Sequence, residues 1–158
     1  MLRISRLTDY ATVLLAALAG EPERVQTATA LAQQTHIAAP TVSKLLKQLQ
    51  RAGLVTSTRG LHGGYQLARP PTQISAAAIL DALEGPVALT DCSAGRGNCE
   101  IEESCRVSRV WQRLNLAIRR SLYEVSLAQL AGLDAAPARL PALEREMKAA
   151  ATRTPARS

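Results

Sequence analysis

The chain has 158 residues, 47% of them hydrophobic, with no Phe and no apolar run long enough to cross a membrane as a helix. That length suits one domain, or a small domain with an appended helix and tail, large enough for a core built on Leu, Ala, Val and Ile. The net charge of +6 points to a polyanionic partner, and its excess lies in residues 1–70, with eight Lys/Arg against three Asp/Glu, where residues 71–158 carry eleven against ten.

The first helix is predicted from about Thr8 to Gly20, since Leu7, Tyr10, Leu14 and Leu18 recur at helical spacing, with Thr8 as N-cap and Gly20 as stop. Arg3, Arg6 and the apolar run from Ala11 to Ala19 imitate a short secretory signal. Asp9 interrupts the passage from charged to apolar residues, so the segment reads as a helix of the mature domain. After the turn Glu21-Pro22-Glu23-Arg24 comes a short helix near Thr29 to Thr35. The next helix starts at Pro40, a residue suited to the first helical position, and runs to about Ala52 before Gly53. Its buried face is Val42, Leu45, Leu46 and Leu49, and its free face is Thr41, Ser43, Lys44, Lys47, Gln48 and Arg51. Two short helices around a tight turn, the second offering hydroxyls, amides and ammonium groups, meet the requirements of a helix-turn-helix in the major groove of double-stranded DNA.

A hairpin follows. Leu54 to Thr58 and Tyr65 to Ala68 have strand character, and Arg59-Gly60-Leu61-His62-Gly63-Gly64 between them is a flexible basic tip. The fold class is therefore mainly α with a small β-hairpin wing: a winged helix-turn-helix followed by a long dimerisation helix. Thr41, Ser43, Lys44, Lys47 and Gln48 are the expected DNA contacts on the helix, with Arg59 and His62 at the wing, where Arg59 suits the negative potential of a narrow minor groove.

Beyond Pro70-Pro71, Ser75 to Glu84 reads as a helix. The chain's three cysteines, Cys92, Cys99 and Cys105, then fall within fourteen residues of a Gly-rich polar segment that cannot bury them as small hydrophobes. An odd count argues against a closed disulfide framework, and thiolate ligation of an iron–sulfur cluster is the favoured use. Zinc on an irregular C-x6-C-x5-C spacing and unliganded loop thiols remain open. No C-x-x-C, no H-E-x-x-H and no base beside a nucleophile is present, so an enzyme is not expected, nor a small-molecule substrate. Val107, Trp111, Leu114, Ile118, Ser121 and Val125 alternate in steps of four and three, a seam with Arg109, Arg113, Arg119 and Arg120 largely off it, which predicts a helix pairing two chains. From about Asp134 the chain turns Ala-, Pro- and Arg-rich. The expected division is a DNA-binding unit 1–70, a helix, cysteine loop and dimerisation helix 71–131, and a flexible tail 132–158.

Taken together, the Leu7-Thr8-Asp9-Tyr10-Ala11 opening, the helix from Pro40 to Lys47, Gly53-Leu54-Val55, the Arg59 to Tyr65 wing, the three-cysteine loop and Trp111 resemble the IscR/NsrR-type winged-helix iron–sulfur regulators, and within them the regulators of the SUF cluster-assembly system. The resemblance covers residues 1 to about 131. It implies a homodimeric cytoplasmic transcription factor, a repressor of iron–sulfur assembly genes, whose bound cluster sets its affinity for operator DNA. Cys92, Cys99 and Cys105 match the family's thiolate ligands, with one extra residue between the first two compared with IscR. The IscR-type histidine ligand has Ser108 at its position here. The NsrR-type carboxylate, at the start of the first helix, has Asp9, whose plainer role is to complement the helix dipole. The histidine-ligated members hold a 2Fe–2S cluster and the aspartate-ligated ones a 4Fe–4S cluster, so the resemblance leaves both types open for this chain.

Overall fold

The computed structural model describes residues 3–95, 98–101 and 105–134. Helix α1 spans Arg6–Gly20 and begins two residues before the expected start, because Ser5 and not Thr8 is the N-cap: the Ser5 hydroxyl accepts the Thr8 N–H at 3.2 Å. Helix α2, Ala28–Thr35, is capped by the Thr27 hydroxyl on the Ala30 N–H at 3.1 Å. His36 then takes a left-handed φ of 56°, unlike any other non-glycine among the described residues, and turns the chain into α3, Ala39–Arg51, in which Pro40 is the second residue. Strands β1 (Val55–Thr58) and β2 (Gly64–Leu67) pair antiparallel from Val55 opposite Leu67 to Thr58 opposite Gly64. The expected architecture, mainly helical with a two-stranded wing, is the one observed.

Two contacts anchor the wing. Gln26 and Tyr65 exchange backbone hydrogen bonds of 2.9 and 2.8 Å, extending the hairpin onto the segment between α1 and α2. Gly64 permits that approach, since a Cβ there would stand 2.6 Å from the Gln26 carbonyl oxygen. At the far end, the Gln50 amide donates to the Ser57 hydroxyl at 2.8 Å and ties the end of α3 to β1.

After a 3-10 turn at Pro71–Gln73, α4 runs Ala76–Glu84 with Ser75 as N-cap. A four-residue helix α5, Asp91–Ala94, carries Cys92, and α6, Ser108–Glu124, is the long helix expected from the seam. The chain then returns. The Ala76 N–H donates to the Val125 carbonyl at 2.8 Å and the Leu127 N–H to the Ile74 carbonyl at 2.7 Å, so α7, Leu127–Leu130, folds back against α1. One core therefore joins Ala11, Leu14, Leu15 and Leu18 of α1 to Val42, Leu45, Leu46 and Leu49 of α3, and also to Ile79 of α4 and Leu127 of α7. Burial of each such Leu or Ile contributes about 1.5–3 kcal/mol, so α4 and α7 share the core of the helix-turn-helix. Most of the expected tail, 135–158, lies outside the described residues. No described helix is long and apolar enough to cross a membrane.

Candidate nucleic-acid interface and cysteine loop

Helix α3 divides into two faces for a simple reason. Val42, Leu45, Leu46 and Leu49 are fully buried, and the remaining positions of a 3.6-residue repeat must point away from them. Lys44, Lys47 and Arg51 are exposed on the outward face, with Thr41 and Ser43 half-buried on its flanks. Gln48 is also on a flank, and its Oε1 is buried with no hydrogen-bond partner among the described residues, so its amide is turned partly inward. At the wing, Arg59 and His62 are both exposed, on a turn closed by the Gly63 N–H donating to the Gly60 carbonyl at 3.0 Å. A Cβ at Gly63 would collide with the Thr58 carbonyl oxygen. The glycines thus shape a narrow tip, and both the outward face of α3 and the tip carry exposed cations.

Residues 89–92, where the cysteine loop begins, rest on a face of α6 about 100° round the helix from its apolar seam. Ser108 and Asn115 are buried, Gln112, Arg119 and Leu122 are half-buried, and the steps of four and three place all five on one stripe. Asn115 Oδ1 accepts the Leu89 N–H at 3.1 Å, and Gln112 Nε2 donates to the Cys92 carbonyl at 3.1 Å and to the Ser108 hydroxyl at 3.3 Å. Thr90 Oγ1 is 3.1 Å from the Cys92 sulfur and 2.8 Å from the Ser93 hydroxyl. Residues 89–92 are held on α6 by these bonds. Ser108, the position of the IscR-type ligand, here serves the hold on the loop.

Cys92, Cys99 and Cys105 are each half-buried, and none is in a disulfide among the described residues. Three thiols in one short loop are the donor chemistry that an iron–sulfur cluster takes. Among the described residues, which omit Glu102, Glu103 and Ser104, no three His, Cys, Asp or Glu side chains stand close enough to hold one metal ion. Asp9 is exposed in the first turn of α1, on the wall of a cavity of about 860 Å³ that Arg3, Arg6, Leu122 and Val125 also line. None of the three cysteines lines it.

Sequence reasoning missed Glu84. Its Oε1 accepts the Ser5 N–H at 2.9 Å and the Thr8 hydroxyl, clamping the head of α1 to the end of α4 where Gly85 leads into the cysteine loop. The Thr8 bond first, then the Ser5 amide and hydroxyl, hold its carboxyl below the usual range. Nothing local announces a partner 76 residues away. The seam of α6 is open in the single chain: Val107, Trp111 and Leu114 are 58%, 42% and 47% exposed, Ser121 is exposed, and Ile118 and Val125 are half-buried. Val110, which the seam omits, is exposed too, at 57%.

Residues 4–132 match the Rrf2 family, described as iron-dependent transcriptional regulators. An HTH-type transcriptional regulator of Synechocystis sp. is 34% identical over 130 residues, covering 82% of this chain and 87% of that protein. Among solved structures, CymR, the global cysteine regulator of B. subtilis, is similar with a TM-score of 0.66 and 29% identity, over 85% of this chain and all of that one. IscR of T. potens is similar with a TM-score of 0.61 and 26% identity, over 89% of this chain and 96% of that one.

Proposed function

The chain belongs to the Rrf2 family of transcriptional regulators, and from that premise we propose that it is a homodimeric, cytoplasmic, operator-binding repressor of iron–sulfur assembly genes whose DNA affinity is set by a cluster on Cys92, Cys99 and Cys105. Its relatives are regulators and not enzymes. The observation that carries the proposal is the tie between the cysteine loop and α6: Gln112 and Asn115 make the loop part of the helix whose apolar seam pairs two chains. Whatever fixes or frees the three thiols thereby acts on the dimer axis, and the axis sets how two reading heads meet half-sites about one helical turn apart.

In this reading residues 1–70 contact DNA through Thr41, Ser43, Lys44, Lys47, Gln48, Arg59 and His62, residues 71–131 bind the cluster and pair the chains, and 132–158 form a tail. The cluster supplies the tie among the three sulfurs. Asp9, at the position of the NsrR-type carboxylate, supplies the fourth ligand from the partner subunit, as the likeness to the NsrR-type regulators implies. A differential binding of about 1.4 kcal/mol between loaded and empty dimers changes DNA affinity tenfold, so the switch asks little of the tie.

A second reading has support in the likeness to CymR: a regulator with the same reading head that uses zinc or redox-active thiols instead of a cluster. Anaerobic purification separates the two. A brown protein with visible absorption and iron and sulfide in each chain supports the cluster, and a colourless protein refutes it, with stoichiometric zinc favouring the second reading. In the brown protein, Asp9→Ala is expected to assemble a cluster that chelator removes faster than from wild type, and an unchanged lifetime would remove Asp9 from the ligand set.

A further inference from the structure

Helix α4 packs against α1, α3 and α6, and so stands between the reading head and the seam helix. Its one carboxylate on the α6 side is Asp81. Arg119 of α6 donates through Nη2 to Asp81 Oδ2 at 3.2 Å and to the Tyr123 hydroxyl at 3.3 Å, with its guanidinium carbon 5.8 Å from the centre of the Tyr123 ring. The pair is largely sheltered, with side chains 22% and 29% exposed. Asp81 has a second oxygen, Oδ1, that is buried and has no hydrogen-bond partner among the described residues. A buried carboxylate oxygen without a donor is costly, and such atoms persist where another state of the molecule supplies the partner.

The donor is at hand. Asp81 lines a cavity of about 350 Å³ together with Ala52 and Leu54, where α3 passes into the wing, and with Arg69, where the chain leaves β2. Arg69 is exposed and has no hydrogen bond or ion pair among the described residues. No other Lys or Arg lines that cavity. Arg69 thus sits at the foot of the wing and shares that cavity with an orphaned acceptor already fixed to α6.

We infer that Asp81 is a positioning residue shared by two arginines, with Arg119 of α6 on one oxygen and Arg69 at the foot of the wing closing on the other when the reading head seats on DNA. The bridge Arg69–Asp81–Arg119 locks the angle between wing and seam helix in the DNA-bound state and opens in the free protein. It is a device for fixing half-site geometry and involves neither the cysteines nor Asp9. The inference rests on the DNA-binding reading and is independent of the cluster.

A double-mutant cycle tests it, on a duplex enriched by the wild-type full-length chain from random-sequence DNA. Arg69→Gln is expected to weaken binding roughly tenfold in the wild-type background and less than about twofold in the Asp81→Asn background, because the interaction it removes is already gone. A phosphate contact by Arg69 would give the same loss in both backgrounds, and that additive result overturns the inference. Should Asp81→Asn not fold, Asp81→Ser repeats the cycle with the same two outcomes. Duplexes differing by one base pair in half-site spacing supply a readout that mere stabilisation would not move: wild type should discriminate among them and Asp81→Asn should not, and unchanged discrimination counts against the bridge. Failure to enrich any duplex would sink the DNA-binding reading, and this inference with it, whereas additivity sinks this inference alone.

Discussion

Asn115→Ala strikes the hold on the cysteine loop without touching a thiol. Asn115 is 5% exposed and its Oδ1 is the acceptor for the Leu89 N–H at 3.1 Å. Truncation removes that bond and leaves a backbone donor without its partner, a loss of about 1–3 kcal/mol for a fully buried group. Leu89 is only half-buried, so water reaches part of the way and the lower half of that range, about 1–2 kcal/mol, is expected. For a chain of this length each kcal/mol moves the thermal midpoint by roughly 2–4 °C, giving a fall of about 2–8 °C. The assay is thermal unfolding of the cluster-free protein at fixed concentration, because a dimer's midpoint depends on concentration. The loosened loop should also let a thiol reagent reach Cys92 faster in Asn115→Ala. A midpoint within about 1 °C of wild type, or an unchanged rate of Cys92 modification, would refute the claim that this bond holds the loop.

Three further outcomes are expected. Lys44→Ala and Lys47→Ala should weaken DNA binding at all sequences and lower the salt slope by about one unit for each phosphate that is no longer neutralised, while Arg59→Ala weakens binding mainly at narrow minor grooves; titrations at several salt concentrations check this. Leu114→Glu places a charge on the seam and should yield a monomer with a folded reading head, read by sedimentation and circular dichroism; an intact dimer would put the interface elsewhere. Glu84 has a carboxyl pKa lowered in the fold, so its bonds to Thr8 and Ser5 stabilise fully above the ordinary carboxylate range and are lost as pH falls through the lowered value. Glu84→Gln should therefore flatten the acid side of the stability profile and match wild type most closely at low pH; an unchanged acid slope would contradict it.

The elements that were legible in the chain are those with a long one-sided period. Val42, Leu45, Leu46 and Leu49 announce α3, and they are buried as their spacing requires. The wing was legible from its glycines. The start of α1 was not, because Ser5 and Thr8 are both good caps and the choice is made by Glu84, which draws the Thr8 hydroxyl to itself from the end of α4. Helix α7 is too short for any period to show, yet Ser126-Leu127-Ala128-Gln129 carries a capping box that signals it, formed by the Ser126 hydroxyl with the Gln129 N–H and the Gln129 side chain with the Ser126 N–H. The inner face of α6 reads as solvated surface, since Ser108, Gln112, Asn115 and Arg119 are polar. Their partners Leu89, Cys92 and Asp81 lie 20 or more residues away, and only the folded chain brings them into register. The polar stripe that holds residues 89–92 lies about 100° round α6 from the apolar seam and carries no hydrophobic period, which is why the seam alone was visible.

The most direct test of the account is the affinity of the anaerobically purified dimer for its selected duplex, measured before and after a chelator removes the metal. A change of about tenfold or more, absent from Cys92→Ala, Cys99→Ala and Cys105→Ala, is the predicted result. Equal affinity in the two states of a protein that did carry a cluster would contradict the claim that the cysteine loop governs DNA binding.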